Sequence, residues 1–260
     1  MRLAEIDLTN VTPLSGAHAH GDCDHDRPLL DALEHGFTSV EADVWYADGE
    51  VLVGHHRADT DPSRTLAGLY LEPLAKLVAN HGGSVFPGHR GFQLLIDLKH
   101  DHPDIYPAVE DALRQFPGLV SSWQDGELTE GALTAVVSGE RPRAVMSGRA
   151  LRHAGYDGRL SDIGSGLHRT FMPLVSDDWT STFTWTGVGP MPDHERARLH
   201  EIVTSAHADG HLVRFWATPD EIGDARTSLW TELRDAGVDY LNTDDLPGLR
   251  DFLTEATLAA

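Results

Sequence analysis

Cysteine, positive charge and long apolar runs are all scarce in this 260-residue chain. Its single cysteine, Cys23, has no partner for an intrachain disulfide, so the sequence assigns no redox compartment. Lys and Arg number 20 against 41 Asp and Glu, a net charge of −21. Such an exterior repels nucleic acid and anionic bilayers over most of its area, while leaving room for a local basic pocket that takes one phosphate. No apolar run approaches the ~18 residues that a membrane-spanning helix needs, so stable membrane insertion is not expected. The start, Met1-Arg2-Leu3-Ala4-Glu5-Ile6-Asp7, is too acidic and too weakly apolar for a signal peptide. A cytoplasmic protein is therefore the expectation, with a mature secreted form as the alternative. Also missing are a GxGxxG loop, a P-loop, a GxSxG elbow and a CxxC zinc pair, which removes the commonest signatures of dinucleotide, nucleotide triphosphate, serine hydrolase and zinc chemistry. The sequence sets no oligomeric state.

What is present is an alternation of short β-like runs with helical stretches. The strands expected are Pro13–His18, Thr38–Val44, Gln93–Lys99, Leu119–Trp123, Leu133–Ser138, Thr170–Ser176, Leu212–Ala217 and Val238–Thr243. Helices are expected over Pro28–His35, Glu72–His81, Pro103–Gln115, Asp193–Ala208, Ser228–Asp235 and Leu246–Ala256. Several end at a glycine, as at Gly36, Gly82, Gly210 and Gly237. Near eight strands without a linker imply one (β/α)8 TIM barrel domain over residues 1–260, possible irregularity being confined to the poorly periodic stretch 118–170.

In such a barrel, functional side chains gather at the C-terminal ends of the strands. His18 and His20 follow the first strand. Glu41 and Asp43 share one face of the second, opposite Val40, Ala42 and Val44. Asp97 and Lys99 share a face of the third. Inward carboxylates on neighbouring strands need a common counter-charge, because an unpaired buried charge is costly. Glu41, Asp43 and Asp97 thus make a three-oxygen site for one hard divalent cation, Mg²⁺ or Ca²⁺; the alternative is a set of ion pairs at the barrel rim. His18 and His55 are the candidate catalytic acid and base, with His20 and His56 in support. Lys99 is a candidate phosphate contact or a salt-bridge partner of Asp97. Trp216 is a candidate floor for a substrate pocket. Asp244 either hydrogen-bonds a catalytic histidine, binds metal or caps the helix that follows. Trp179 and Trp185 either line an apolar entrance or cover the barrel mouth.

The order His18, Glu41-Ala-Asp43, Asp48-Gly49, then Glu50-Val-Leu-Val-Gly-His55 resembles the glycerophosphodiester phosphodiesterase and phosphatidylinositol-specific phospholipase C-like superfamily. Leu94-Leu-Ile-Asp97-Leu-Lys99 resembles the strand that supplies that family's third metal carboxylate. Val213–Trp216 and Gly237–Asp244 resemble its last two strands. The His-x-His start and Leu69-Tyr-Leu-Glu-Pro-Leu74 are most similar to the subgroup related to the fungal altered-inheritance-of-mitochondria protein 6, and sphingomyelinase D enzymes are more distant. The usual His-Arg-Gly is His18-Ala19-His20 here, which leaves two histidines for one position; His18 is preferred by its place in the strand.

The resemblance implies metal-dependent hydrolysis of a small or lipid-derived phosphodiester, of the glycerophosphodiester or lysophospholipid type, by two-histidine acid–base catalysis. Two other functions stay open: a zinc-dependent amidohydrolase-like barrel built on His18 and His20, and a barrel that binds a phospholipid headgroup without turnover.

Overall fold

The computed structural model describes residues 6–258; Met1 to Glu5 of the sequence start lie outside them. Eight parallel strands succeed one another around a barrel: β1 (Leu14–Ala19), β2 (Phe37–Ala47), β3 (Gln93–Leu98), β4 (Thr134–Gly139), β5 (Ala154–Gly158), β6 (Leu174–Asp178), β7 (Leu212–Trp216) and β8 (Leu241–Thr243). Each pairs with the next, and β8 returns to β1 with Ala17 opposite Leu241 and Ala19 opposite Thr243. The β7–β8 seam is held by a single parallel bridge, Arg214 to Tyr240. A strand over Glu50–Val53 folds back antiparallel on β2 through the Asp48-Gly49 turn, where both turn residues have positive φ.

The barrel follows from alternation along each strand. The outward residues Ala17, Ala19, Val40, Ala42, Val44, Leu94, Ile96, Ala135 and Val137 are fully buried against the surrounding helices. Inside, Leu95, Val136 and Leu174 with Tyr240 form a separate apolar plug. Polar side chains occupy the remaining inward positions. Register places Asp43 beside Asp97 and Asp97 beside Ser138.

One expected strand is corrected. Leu119–Trp123 does not enter the barrel: Ser122–Gln124 pairs antiparallel with Glu127–Thr129 and Leu151–Arg152 in a small outer sheet. The fifth barrel strand is Ala154–Gly158, for which no strand was expected. Its glycines are required by packing, since a Cβ at Gly155 would collide with Pro173 and one at Gly158 with Met172. The irregular middle is real. Among the described residues, a 3-10 turn over Leu160–Asp162 is the only helical element between β5 and β6.

Candidate active site

The inward residues of β1 to β3 form a ladder of hydrogen bonds that ends in an acidic cluster. At its base the Gln93 side-chain amide donates to the Ser39 hydroxyl at 2.9 Å, and Ser39 lies 2.7 Å from Nδ1 of His18. His18 Nε2 is 3.2 Å from Glu41 Oε2. His18 has no exposed surface, and burial together with Arg214 pushes its pKa down to about 3. The imidazole is therefore neutral, accepting from Ser39 at Nδ1 and donating from Nε2 to Glu41. Burial works against ionisation of Glu41, but the Arg214 guanidinium, 2.9 Å away, and the His18 bond hold its carboxyl well below the usual range. Asp43 goes the other way: burial and the nearby Glu41 charge raise it to about 6.

Glu41, Asp43 and Asp97 each present a carboxylate oxygen within 4.8 Å of the other two, the one such grouping among the described residues. An all-oxygen donor set of this kind fits a hard divalent cation such as Mg²⁺ or Ca²⁺. It does not fit the zinc reading, because no histidine or cysteine among the described residues joins it. The counter-charge on the cluster comes from the protein as well. Lys99 Nζ is 3.1 Å from Asp43 Oδ1 and 2.5 Å from Asp97 Oδ2. Burial lowers the Lys99 pKa, but Asp97 and Asp43 outweigh it and the net shift is upward. Gly139 leaves space for Asp97: with φ of +69°, it sits where any Cβ would strike the Asp97 carboxylate and the Leu98 backbone.

Two histidines flank the cluster. His20 Nδ1 is 2.7 Å from Asp244 Oδ1, and His55 Nδ1 is 2.7 Å from Asp43 Oδ2. Each is thus oriented by a carboxylate through Nδ1, and its Nε2 makes no hydrogen bond among the described residues. Burial lowers the His20 pKa, but the Asp244 bond and the Glu41 charge prevail and raise it overall. Asp244 is itself placed by Asp220, which accepts from the Asp244 amide at 2.7 Å and from the Thr243 hydroxyl at 2.9 Å. His56 packs edge-on against His55, with ring centres 4.6 Å apart.

A cavity of about 310 Å³ opens above these groups, lined by His20, Glu41, Asp97, Lys99, Ser138, Gly139, Arg159, Arg214 and Trp216. Of the residues expected from the sequence, Glu41, Asp97, Lys99, His20 and Trp216 line it directly, with Asp43 and His55 joined to them by hydrogen bonds and ion pairs. His18 lies beneath Glu41 and does not line the cavity. Trp179 and Trp185 are buried, with Trp179 Nε1 donating to the Trp185 carbonyl at 2.8 Å; they pack rather than line an entrance. Beside His20, Asp22 is fully buried: its Oδ2 accepts from the Leu29 amide at 2.7 Å and the Tyr70 hydroxyl at 2.8 Å.

Sequence reasoning missed Arg159, Arg214 and Asp157. For Arg214 a signal existed, since it alternates with Trp216 on β7 and so must face inward. Asp157 and Arg159 were out of reach once β5 was overlooked.

Comparison with known proteins agrees with this architecture. Residues 6–157 match the AIM6-like phosphodiesterase domain, and residues 213–247 match the glycerophosphoryl diester phosphodiesterase family. Altered inheritance of mitochondria protein 6 of Eremothecium gossypii is 31% identical over 96% of this chain and 72% of that protein. Its homolog from Arthroderma benhamiae is 27% identical over 95% of this chain and 86% of its own length. Among solved structures, the phosphatidylinositol-specific phospholipase C from Listeria monocytogenes superposes with a TM-score of 0.52 at 8% identity, covering 96% of this chain and 95% of that one. That likeness speaks for the TIM-barrel fold. The chain belongs to the AIM6-like phosphodiesterase domain family, within the glycerophosphodiester phosphodiesterase and phospholipase C-like superfamily.

Proposed function

We propose that this chain, read as one barrel domain, is a divalent-cation-dependent phosphodiesterase acting on a small or lipid-derived diester of the glycerophosphodiester or lysophospholipid type. The observation that carries this reading is the pairing of three close carboxylates with two histidines, each held at Nδ1 and open at Nε2. Glu41, Asp43 and Asp97 would hold Mg²⁺ or Ca²⁺. A cation bound there supplies charge stabilisation to a phosphoryl oxygen.

The protein's own groups account for proton movement. We assign the acid–base pair to His20 and His55 rather than to His18 and His55. His18 uses both ring nitrogens within the barrel and has no access to the cavity, whereas His20 lines it. One of His20 and His55 takes a proton at Nε2 from the attacking hydroxyl or water, and the other donates from Nε2 to the leaving oxygen. Asp244 and Asp43 keep each ring in the required tautomer, and Asp244 favours the protonated form of His20. His18 is a positioning residue that fixes Glu41. Lys99 and Trp216 bound the substrate space.

The test is hydrolysis of a diester panel, glycerophosphodiesters and lysophospholipids included, after EDTA and after return of Mg²⁺, Ca²⁺ or Mn²⁺. The expected result is activity restored by Mg²⁺ or Ca²⁺, with a loss of about 10²–10⁴-fold in His20→Ala and in His55→Ala. Full activity of His20→Ala would remove it from the mechanism. Ligand binding by a folded protein that turns over none of the panel would favour a headgroup-binding barrel instead.

A further inference from the structure

The chemistry above uses one side of the cavity. Its other side, from β4 to β7, carries two guanidinium groups that the acid–base scheme leaves without a role. All the side-chain hydrogen bonds of Arg159 run through NH1: to Asp157 Oδ2 and the Gly158 carbonyl at 3.0 Å, and to the Ser176 carbonyl and hydroxyl at 3.2 and 3.3 Å. Its Nε and NH2 have no protein acceptor among the described residues, and the side chain keeps 24% of its surface open. Arg214 is only 3% exposed. Its NH1 stands 2.9 Å from Glu41 Oε2 as an ion pair, yet neither NH1 nor Nε makes a hydrogen bond among the described residues. The two arginines are neighbours through Ser176, which anchors Arg159 and lies opposite Arg214 in the β6–β7 register.

A guanidinium presents five donors in a planar fork suited to phosphate oxygens. Here a buried arginine keeps two nitrogens without a hydrogen bond, and its neighbour keeps two sides free on the same cavity wall. The anchor under Arg159 is built as well. Asp157 is fully buried and accepts from the Ser138 and Ser176 hydroxyls, both at 2.6 Å, so it cannot swing out to follow a mobile arginine.

We propose that Arg159 and Arg214 form a seat for phosphoryl oxygens on the β5–β7 side of the cavity. This deepens the phosphodiesterase reading and rests on it. The phosphate is either that of the cleaved bond or a second one carried on the alcohol.

The test is calorimetric titration of inorganic phosphate, in EDTA, into the wild-type protein, Arg159→Gln and Arg159→Lys, with near-ultraviolet circular dichroism as the check on folding. Removing charged hydrogen bonds should weaken phosphate binding by ~10-fold or more in Arg159→Gln. Arg159→Lys keeps a cation against Asp157 but loses the fork, and should fall between the two. It also carries the comparison if Arg159→Gln does not fold. A folded variant that binds phosphate as tightly as the wild type overturns the seat, as does a wild type that binds none. Rates on a matched pair of diesters, with neutral and phosphorylated alcohols, identify the source. Equal loss on both assigns the seat to the scissile phosphate, and a larger loss on the phosphorylated one assigns it to the second group. A wild type that hydrolyses no diester would defeat the proposed function, while the titration would still decide the seat.

Discussion

Burial raises the Asp22 carboxyl to about 7, against the hydrogen bonds from the Tyr70 hydroxyl and the Leu29 amide that favour its charged form. The folded protein therefore keeps this proton up to about pH 7, whereas the unfolded chain releases it near the ordinary aspartate value of 3.8. Between those limits the folded state binds the extra proton, so this group's contribution to stability declines as pH rises and levels off above the folded value. His18 pulls the opposite way. Its pKa falls from 6.5 to about 3 on folding, so the unfolded chain takes the proton and stability is lost as pH drops below 6.5. A variant isolates the first effect. Asp22→Asn should gain on the wild type with rising pH, by at most ~1.4 kcal/mol per unit, and the gain should stop near neutrality. Urea unfolding at a series of pH values measures it; parallel curves for the two proteins would contradict it.

β5 shows what can and cannot be read from a sequence. Ala154-Gly-Tyr-Asp-Gly158 has no β-branched residue and two glycines, so propensity argues against a strand. Those glycines are there because neighbouring side chains from the β5–β6 connection, Met172 and Pro173, fill the space a Cβ would take. Tertiary packing overrides local preference. Conversely, Leu119–Trp123 has the apolar character of a barrel strand, but Val120 makes only a single parallel bridge, to Leu133, and Ser122 and Trp123 turn into the outer sheet. The remaining strands were legible because their alternation is strong, and with them Glu41, Asp43, Asp97 and Lys99. The different burial of His18 and His20 was not legible. Both lie on the same face by alternation, and only depth in the barrel separates them. The packing argument has a measurable consequence. Gly158→Ala forces a methyl against Met172 and should cost ~1–3 kcal/mol in unfolding free energy. Met172→Ala in the same chain should recover part of that loss, and two independent, additive losses would show that the contact is not the cause.

The net charge of −21 acts on the whole molecule. Like charges spread over one barrel repel in the folded state, and salt screens them. The melting temperature is expected to rise by a few degrees as NaCl increases from ~0.01 to ~0.5 M, because self-repulsion at this charge outweighs surface ion pairs such as Arg27–Asp31 and Arg196–Glu232. A melting temperature that falls with salt would mean that those pairs dominate. Among the described residues no helix is long and apolar enough to cross a membrane, and the same charge should keep the protein off anionic vesicles in co-sedimentation.

The ladder between β1 and β8 has a temporal meaning too. Ala17, His18 and Ala19 pair with Leu241, Asn242 and Thr243. During synthesis, the strand that carries both His18 and the approach to His20 lacks its partner on one edge until Leu241–Thr243 have emerged from the ribosome. Asp244, which orients His20, arrives one residue after that partner strand. A nascent chain truncated before residue 241 thus has its acidic cluster encoded, but neither a closed barrel nor an oriented His20.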